Sequence, residues 1–184
     1  MSANRHKAQP ELVVHELKPV FSPTSRVLVL GTMPSPASRE ARFYYGHPQN
    51  RFWRVLARLF DEPLPETNEQ RARLVLDHGI ALWDVPSSCE IAGASDASIA
   101  NAQPQNLKPL LDRTQIACVF TTGATASKYY KRFQQPLYPH LPHRSLPSTS
   151  PANARMSLDD LVRAYQPLRD ALEGMEHGGA TFQY

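Results

Sequence analysis

A chain of 184 residues with 41% hydrophobic and 20% charged side chains can close one core and leaves little for a second, so one domain over 1–184 is expected. No apolar run is long enough to span a bilayer and the polar start, 1–10, does not read as a signal sequence, which predicts a cytoplasmic protein with no membrane partner. Cys89 and Cys118, the two cysteines, exclude a disulfide framework and a four-thiolate centre, while a net charge of +3 is compatible with nucleic acid without requiring it.

Residues 1–10 read as a disordered tail and 11–23 as an arm or short edge element. The run 26–30, R-V-L-V-L, is a buried strand that stops at Gly31 and opens, after Pro34 and Pro36, into a long polar loop carrying Phe43, Tyr44, Tyr45 and His47. A helix is predicted over 50–60, with Phe52, Trp53, Leu56, Leu59 and Phe60 on one face, and a second over 68–78, closed by Gly79. The second strand is 80–83, ending at Asp84. The stretch 89–106 is small and polar and reads as a surface crossover or short helix. A short helix over 107–112, a third strand over 116–120 ending in T-T-G, a helix over 124–133 and a fourth strand over 144–146 follow. Ser157 and Asp160 are spaced as a capping box for a last helix, whose buried stripe is Leu158, Leu161, Val162, Tyr165, Leu168 and Leu172. The tail 175–184 reads as disordered.

Strands alternating with helices predict an α/β fold: a three-layer sandwich with a central four-stranded parallel sheet flanked by helices, joined by right-handed crossovers. Every strand ends in small, polar and proline residues, and four such loops on one sheet edge would line one cleft. None carries a Walker A or G-x-G-x-x-G pattern, which argues against nucleoside triphosphates and dinucleotides. Pro139 and Pro142 interrupt any helix that could align His140 with His143, so no metal is expected, and no cofactor is expected either.

Four stretches carry a family resemblance: G-T-M-P-S at 31–35, F-Y-Y-G-H-P-Q-N-R-F-W at 43–53, G-I-A-L-W-D-V-P at 79–86, and L-P-S-T-S-P-A-N-A-R-M-S-L-D-D-L-V at 146–162. Together they resemble the uracil-DNA glycosylase superfamily and, within it, the hypoxanthine-DNA glycosylase family. The resemblance implies a monofunctional, monomeric DNA repair glycosylase whose partner is DNA containing deaminated bases, bringing it to the nucleoid. Such an enzyme flips a base, most simply hypoxanthine, out of DNA and hydrolyses its N-glycosidic bond to leave an abasic site. A uracil or mixed-specificity glycosylase and an inactive DNA-damage binder are the alternatives.

Two departures from the superfamily pattern redistribute the expected roles. The water-positioning Asn of the first loop falls on Met33, which becomes a pocket wall, and the catalytic amide moves to Asn50; Ser148 stands where relatives place His or Asn. Breaking the bond builds positive charge on the sugar and negative charge on the base, and an Asn can hold the attacking water without titrating, although Asn also suits a helix cap. The expected base-binding set is Gly31, Thr32, Met33, Ser35, Tyr45 as the stacking ring and Asp84 as an acceptor for a ring N–H, with a turn or cap role for Asp84 equally open. Ser148, Thr149 and Ser150 suit phosphate contacts, Ala152 or Asn153 occupies the wedge position, and Arg51, Lys128, Lys131, Arg132, Arg144 and Arg155 could flank the groove, although each taken singly reads first as a solvated surface charge. Asp96 lies in a family-like loop with no assigned role.

Overall fold

The computed structural model describes residues 9–93 and 95–176. At its centre β2 (Val27–Gly31) pairs in parallel with β3 (Ile80–Asp84) on one side and β6 (Cys118–Thr122) on the other, and β7 (His143–Leu146) completes the order β3-β2-β6-β7. A continuous apolar run suits such a strand because both of its faces are covered. Val27 and Val29 pack in one cluster with Phe52, Leu56, Val75, Leu161 and Tyr165. Leu28 and Leu30 face the other way, into a cluster with Leu110, Tyr129 and Tyr130. The first face is covered by α2 (Phe52–Leu59), α3 (Asn68–Asp77) and α6 (Leu158–Glu176), the second by α4 (Lys108–Leu111) and α5 (Ala124–Phe133), which is the expected three-layer sandwich. The capping box of α6 forms as expected: the Asp160 amide donates to Ser157 Oγ at 3.1 Å and the Ser157 amide to Asp160 Oδ2 at 2.9 Å.

The second face holds more than helices. The stretch read as a crossover or short helix is a pair of strands, β4 (Pro86–Ile91) and β5 (Ala100–Pro104), which join β1 (Glu11–Val14) in an antiparallel sheet of order β1-β4-β5. Polar residues hid it from an apolar-run reading. Only Val13, Pro86, Cys89, Ile91 and Ala102 are buried, the rest lying half-buried or exposed, yet these few suffice to cover Leu28 and Leu30. The long polar loop after β2 is likewise corrected by α1 (Pro36–Ala41), whose first turn is capped by Ser35 Oγ accepting from the Ser38 amide. β6 begins two residues later than expected, because the chain from 114 to 117 first ties back to Ser25 and Arg26. Of the two tails, 1–8 and 177–184 lie outside the described residues; Met175 and Glu176 continue α6. No helix among the described residues is long and apolar enough to cross a membrane.

Candidate functional site

Parallel strands release their loops at one sheet edge, and here β2, β3 and β6 end at Gly31, Asp84 and Thr122 around a single cavity of about 850 Å³. The residues expected to catalyse, to bind the base and to meet DNA through the last loop all line it: Gly31, Thr32, Met33, Ser35, Tyr45, Asn50, Asp84, Ser148, Thr149, Ser150, Ala152 and Asn153. Thr122, His47, Arg155 and Asp96 join them.

Asp84 ends β3 with its side chain only 6% exposed, and its Oδ2 is 2.8 Å from Nε2 of His15, whose side chain is fully buried. His15 follows β1 and is held there by its amide donating to the Ser87 carbonyl at 2.8 Å, so the antiparallel sheet delivers the partner for a carboxylate on the parallel one. Burial pushes the Asp84 pKa up, the His15 hydrogen bond and charge pull against that, and Asp96 adds to the rise. Asp96 opens a 3-10 turn at Asp96–Ser98 between β4 and β5, and burial raises its pKa too, with a hydrogen bond from Thr32 opposing. The cavity is thus lined by two carboxyl groups, one at the end of the parallel sheet and one in the β4–β5 connection, and the charge of Asp96 acts on Asp84.

Gly31 sits beneath Asp84, and a Cβ there would come within 2.5 Å of Asp84 Oδ1 and 3.3 Å of the Tyr45 hydroxyl. This close approach explains the glycine at the end of an otherwise branched strand. Tyr45 stacks on Phe52 with ring centroids 3.7 Å apart and an interplanar angle of 15°, and its hydroxyl is 3.0 Å from Thr122 Oγ1. Burial, then the charge of Asp84, hold that hydroxyl protonated. Met33 is 5% exposed and packs in the cluster with Leu28 and Leu30, a wall by contact and chemistry.

Asn50 precedes α2, and its Oδ1 accepts twice, from the Phe52 amide at 2.9 Å and from the Thr149 hydroxyl at 2.8 Å. The side chain both caps the helix and faces the cavity, with its NH2 group as the uncommitted arm. Thr149 is 1% exposed and spends its hydroxyl on Asn50, which removes that side chain from any surface a phosphate could reach. Ala152 is exposed, whereas the Asn153 side chain donates to the Ser148 carbonyl at 2.9 Å. Arg51, a candidate for the groove or for a solvated surface charge, instead turns inward onto backbone carbonyls of the 149–156 loop. Lys128 and Arg132 lie over Tyr129 and Phe133 on α5, while Arg155 lies at the cavity.

The residues that sequence reasoning passed over are His15, Asp96 as a pocket carboxyl, and Thr122. Thr122 had a signal, the T-T-G strand end. His15 had none, since it lies 69 residues from its partner in a stretch with no motif. Among the described residues no group of three or more His, Cys, Asp or Glu side chains could hold a metal ion.

A family model described as the Uracil DNA glycosylase superfamily matches residues 18–172. A Methanosarcina acetivorans protein named Hypoxanthine DNA glycosylase is 30% identical over 144 residues, covering 75% of this chain and 87% of the relative. One of the same name from Methanosarcina barkeri is 31% identical over 113 residues, covering 60% and 72%. The solution NMR structure of a Methanosarcina acetivorans protein, provisionally described as a uracil DNA glycosylase, superposes with a TM-score of 0.71 at 23% identity, over 86% of this chain and 99% of that one. That likeness extends to the fold.

Proposed function

We propose, on the premise that the chain belongs to the uracil DNA glycosylase superfamily and is a DNA glycosylase hydrolysing N-glycosidic bonds, that its substrate is hypoxanthine in DNA. The observation that carries this reading is Asp84. Its Oδ2 lies 2.8 Å from His15 Nε2 and the carboxylate also accepts from the Gly31 amide; the lone pair that remains toward the cavity accepts from the N1–H of a flipped hypoxanthine. The amides of Thr32, Met33 and Ser35 are the donors for O6, and Tyr45, backed by Phe52, is the stacking ring. The names of the two relatives support the choice of base.

In the reaction the C1′–N9 bond breaks with its electron pair leaving on the base, water adds to C1′ and gives up a proton to solvent, and the departing base anion takes up one proton from solvent, giving neutral free hypoxanthine and an abasic site. Asp84 lines the cavity in which the sugar becomes cationic, and its carboxylate form, fixed in a buried site, stabilises that cation; the half-buried Asp96 adds to this weakly. Asn50 holds the water through its NH2 group, because its oxygen is already engaged by Phe52 and Thr149. A water that accepts from that NH2 keeps its second lone pair for C1′. The exposed Ala152 is the wedge, with Ser148 and Ser150 beside the phosphates.

Single-turnover cleavage of matched oligonucleotides containing deoxyinosine or deoxyuridine, read as alkali-labile sites, tests the reading. Deoxyinosine is cleaved faster, and Asn50→Ala slows that cleavage by about a hundredfold. Faster cleavage of deoxyuridine would overturn the choice of base, and an Asn50→Ala rate within about threefold of wild type would overturn the role of Asn50.

A further inference from the structure

Arg51 opens α2 beside Asn50, and its guanidinium grips the loop on the far side of the cavity. Its Nε donates to the Thr149 carbonyl at 3.4 Å, its Nη2 to the carbonyls of Ser150 at 3.0 Å and Asn153 at 2.8 Å, and its Nη1 to that of Met156. The Arg51 amide donates to the same Thr149 carbonyl at 3.1 Å. One planar fork therefore gathers four carbonyls spread over eight residues that contain no regular element. Within the loop, the Asn153 amide donates to the Ser150 carbonyl at 3.0 Å and the Ala152 amide to Ser150 Oγ at 3.2 Å. These short-range bonds shape its turn, but among the described residues only Arg51 ties both of its ends to the start of α2, next to Asn50.

We propose that Arg51 is a positioning residue that builds the 149–156 loop in its DNA-binding form before DNA arrives, without touching DNA itself. The proposal rests on the reading that this loop meets DNA. Carbonyls held by the guanidinium cannot turn toward a phosphate, where their negative ends would be repelled, so the groove side of the loop is left to amides, hydroxyls and Ala152. A fork of five fixed donors is needed for the task; a lysine ammonium of the same charge cannot span four carbonyls. A preordered loop also binds without the loss of freedom that a slack one suffers on meeting its partner.

Arg51→Lys, which keeps the charge and loses the fork, is the test, with Arg51→Met beside it. Two quantities are read in the whole protein: amide hydrogen exchange across 149–156 without DNA, and affinity for a duplex bearing a tetrahydrofuran abasic-site analogue at several salt concentrations. The expected result is faster exchange confined to the loop and its junction with α2, with dissociation constants raised at least about tenfold by either substitution. The slope of log affinity against log salt stays as in wild type. A shallower slope for Arg51→Met, by about 0.9, would mean a lost phosphate contact and overturn the proposal, as would retained affinity in Arg51→Lys with loss in Arg51→Met. Unchanged exchange in Arg51→Lys would show that the fork does not set the loop. Faster exchange with unchanged affinity would overturn instead the reading that the loop meets DNA, and the proposal with it. If Arg51→Met does not fold, exchange and affinity in Arg51→Lys still decide.

Discussion

The two sheets of this glycosylase meet at one cavity and contribute different things to it. The parallel sheet ends in Gly31, Asp84 and Thr122, so what lines the pocket from this side is fixed by strands buried on both faces. The antiparallel sheet contributes His15 from the end of β1 and Asp96 from the β4–β5 connection, and its strands are largely half-buried or exposed. One sheet supplies surface and contact. The other supplies charge that acts on the first, His15 lowering the Asp84 pKa and Asp96 raising it. A pocket made this way can be retuned from its lightly buried side without disturbing the strands that shape it.

If that division is right, substitutions at the parallel edge act on the rate directly and those in the antiparallel sheet act through Asp84. Asp84→Asn has the largest effect, lowering single-turnover cleavage of deoxyinosine DNA by about a hundredfold or more. Its stability effect has the opposite sense. Because the folded pKa of Asp84 lies above the unfolded value near 3.8, ionising it opposes folding as pH rises through that window, and the amide removes this penalty. Thermal denaturation of Asp84→Asn at neutral pH is therefore expected no lower than wild type; a fall of several degrees would make Asp84 a structural member instead.

His15→Phe comes second. It keeps a ring in the buried site but removes the donor, with a rate loss of about tenfold at neutral pH, in line with one unsatisfied buried group. The rate needs ionised Asp84 and fails as pH falls through its pKa; without His15 that pKa rises, so the acid limb of the pH–rate profile moves to higher pH. Asp96→Asn is the smallest, about two- to threefold in rate, because a partly solvated charge acts weakly at a distance. Its acid limb moves the other way, to lower pH. Opposite shifts from two residues of one sheet would sharpen the comparison, and shifts of the same sign, or a larger loss at Asp96 than at Asp84, would break it.

The same division explains what could be read from the sequence. V-L-V-L-G and the I-A-L-W-D strand announce themselves because both faces are buried, and the loops they release could be placed at one edge from topology alone. Asn50 and Tyr45 stand in the long motif at 43–53, and both line the cavity. The strand P-S-S-C-E-I has no run of apolar residues, and it pairs with 11–14 and 100–104 through backbone bonds that do not depend on side-chain identity. The His15–Asp84 contact is a consequence of that pairing and was therefore hidden with it. Arg51 was misplaced for another reason: charge alone predicts an outward side chain, and only the carbonyls converging on it reveal an inward one.

Tyr45 and Arg42 stand three residues apart with almost the same left-handed backbone, φ of 52° and 53°. For a residue with a Cβ that conformation is disfavoured by about 1–2 kcal/mol, so glycine would suit either position on local grounds. At Arg42, the exposed C-cap of α1, a population drifting under selection for stability alone is free to take it. At Tyr45 the same drift would erase the ring stacked on Phe52 and the hydroxyl beside Thr122. The two positions are alike in conformation and unlike in evolutionary latitude, and the frequency of glycine at each among descendants of this sequence would record which strain is incidental and which is kept for use.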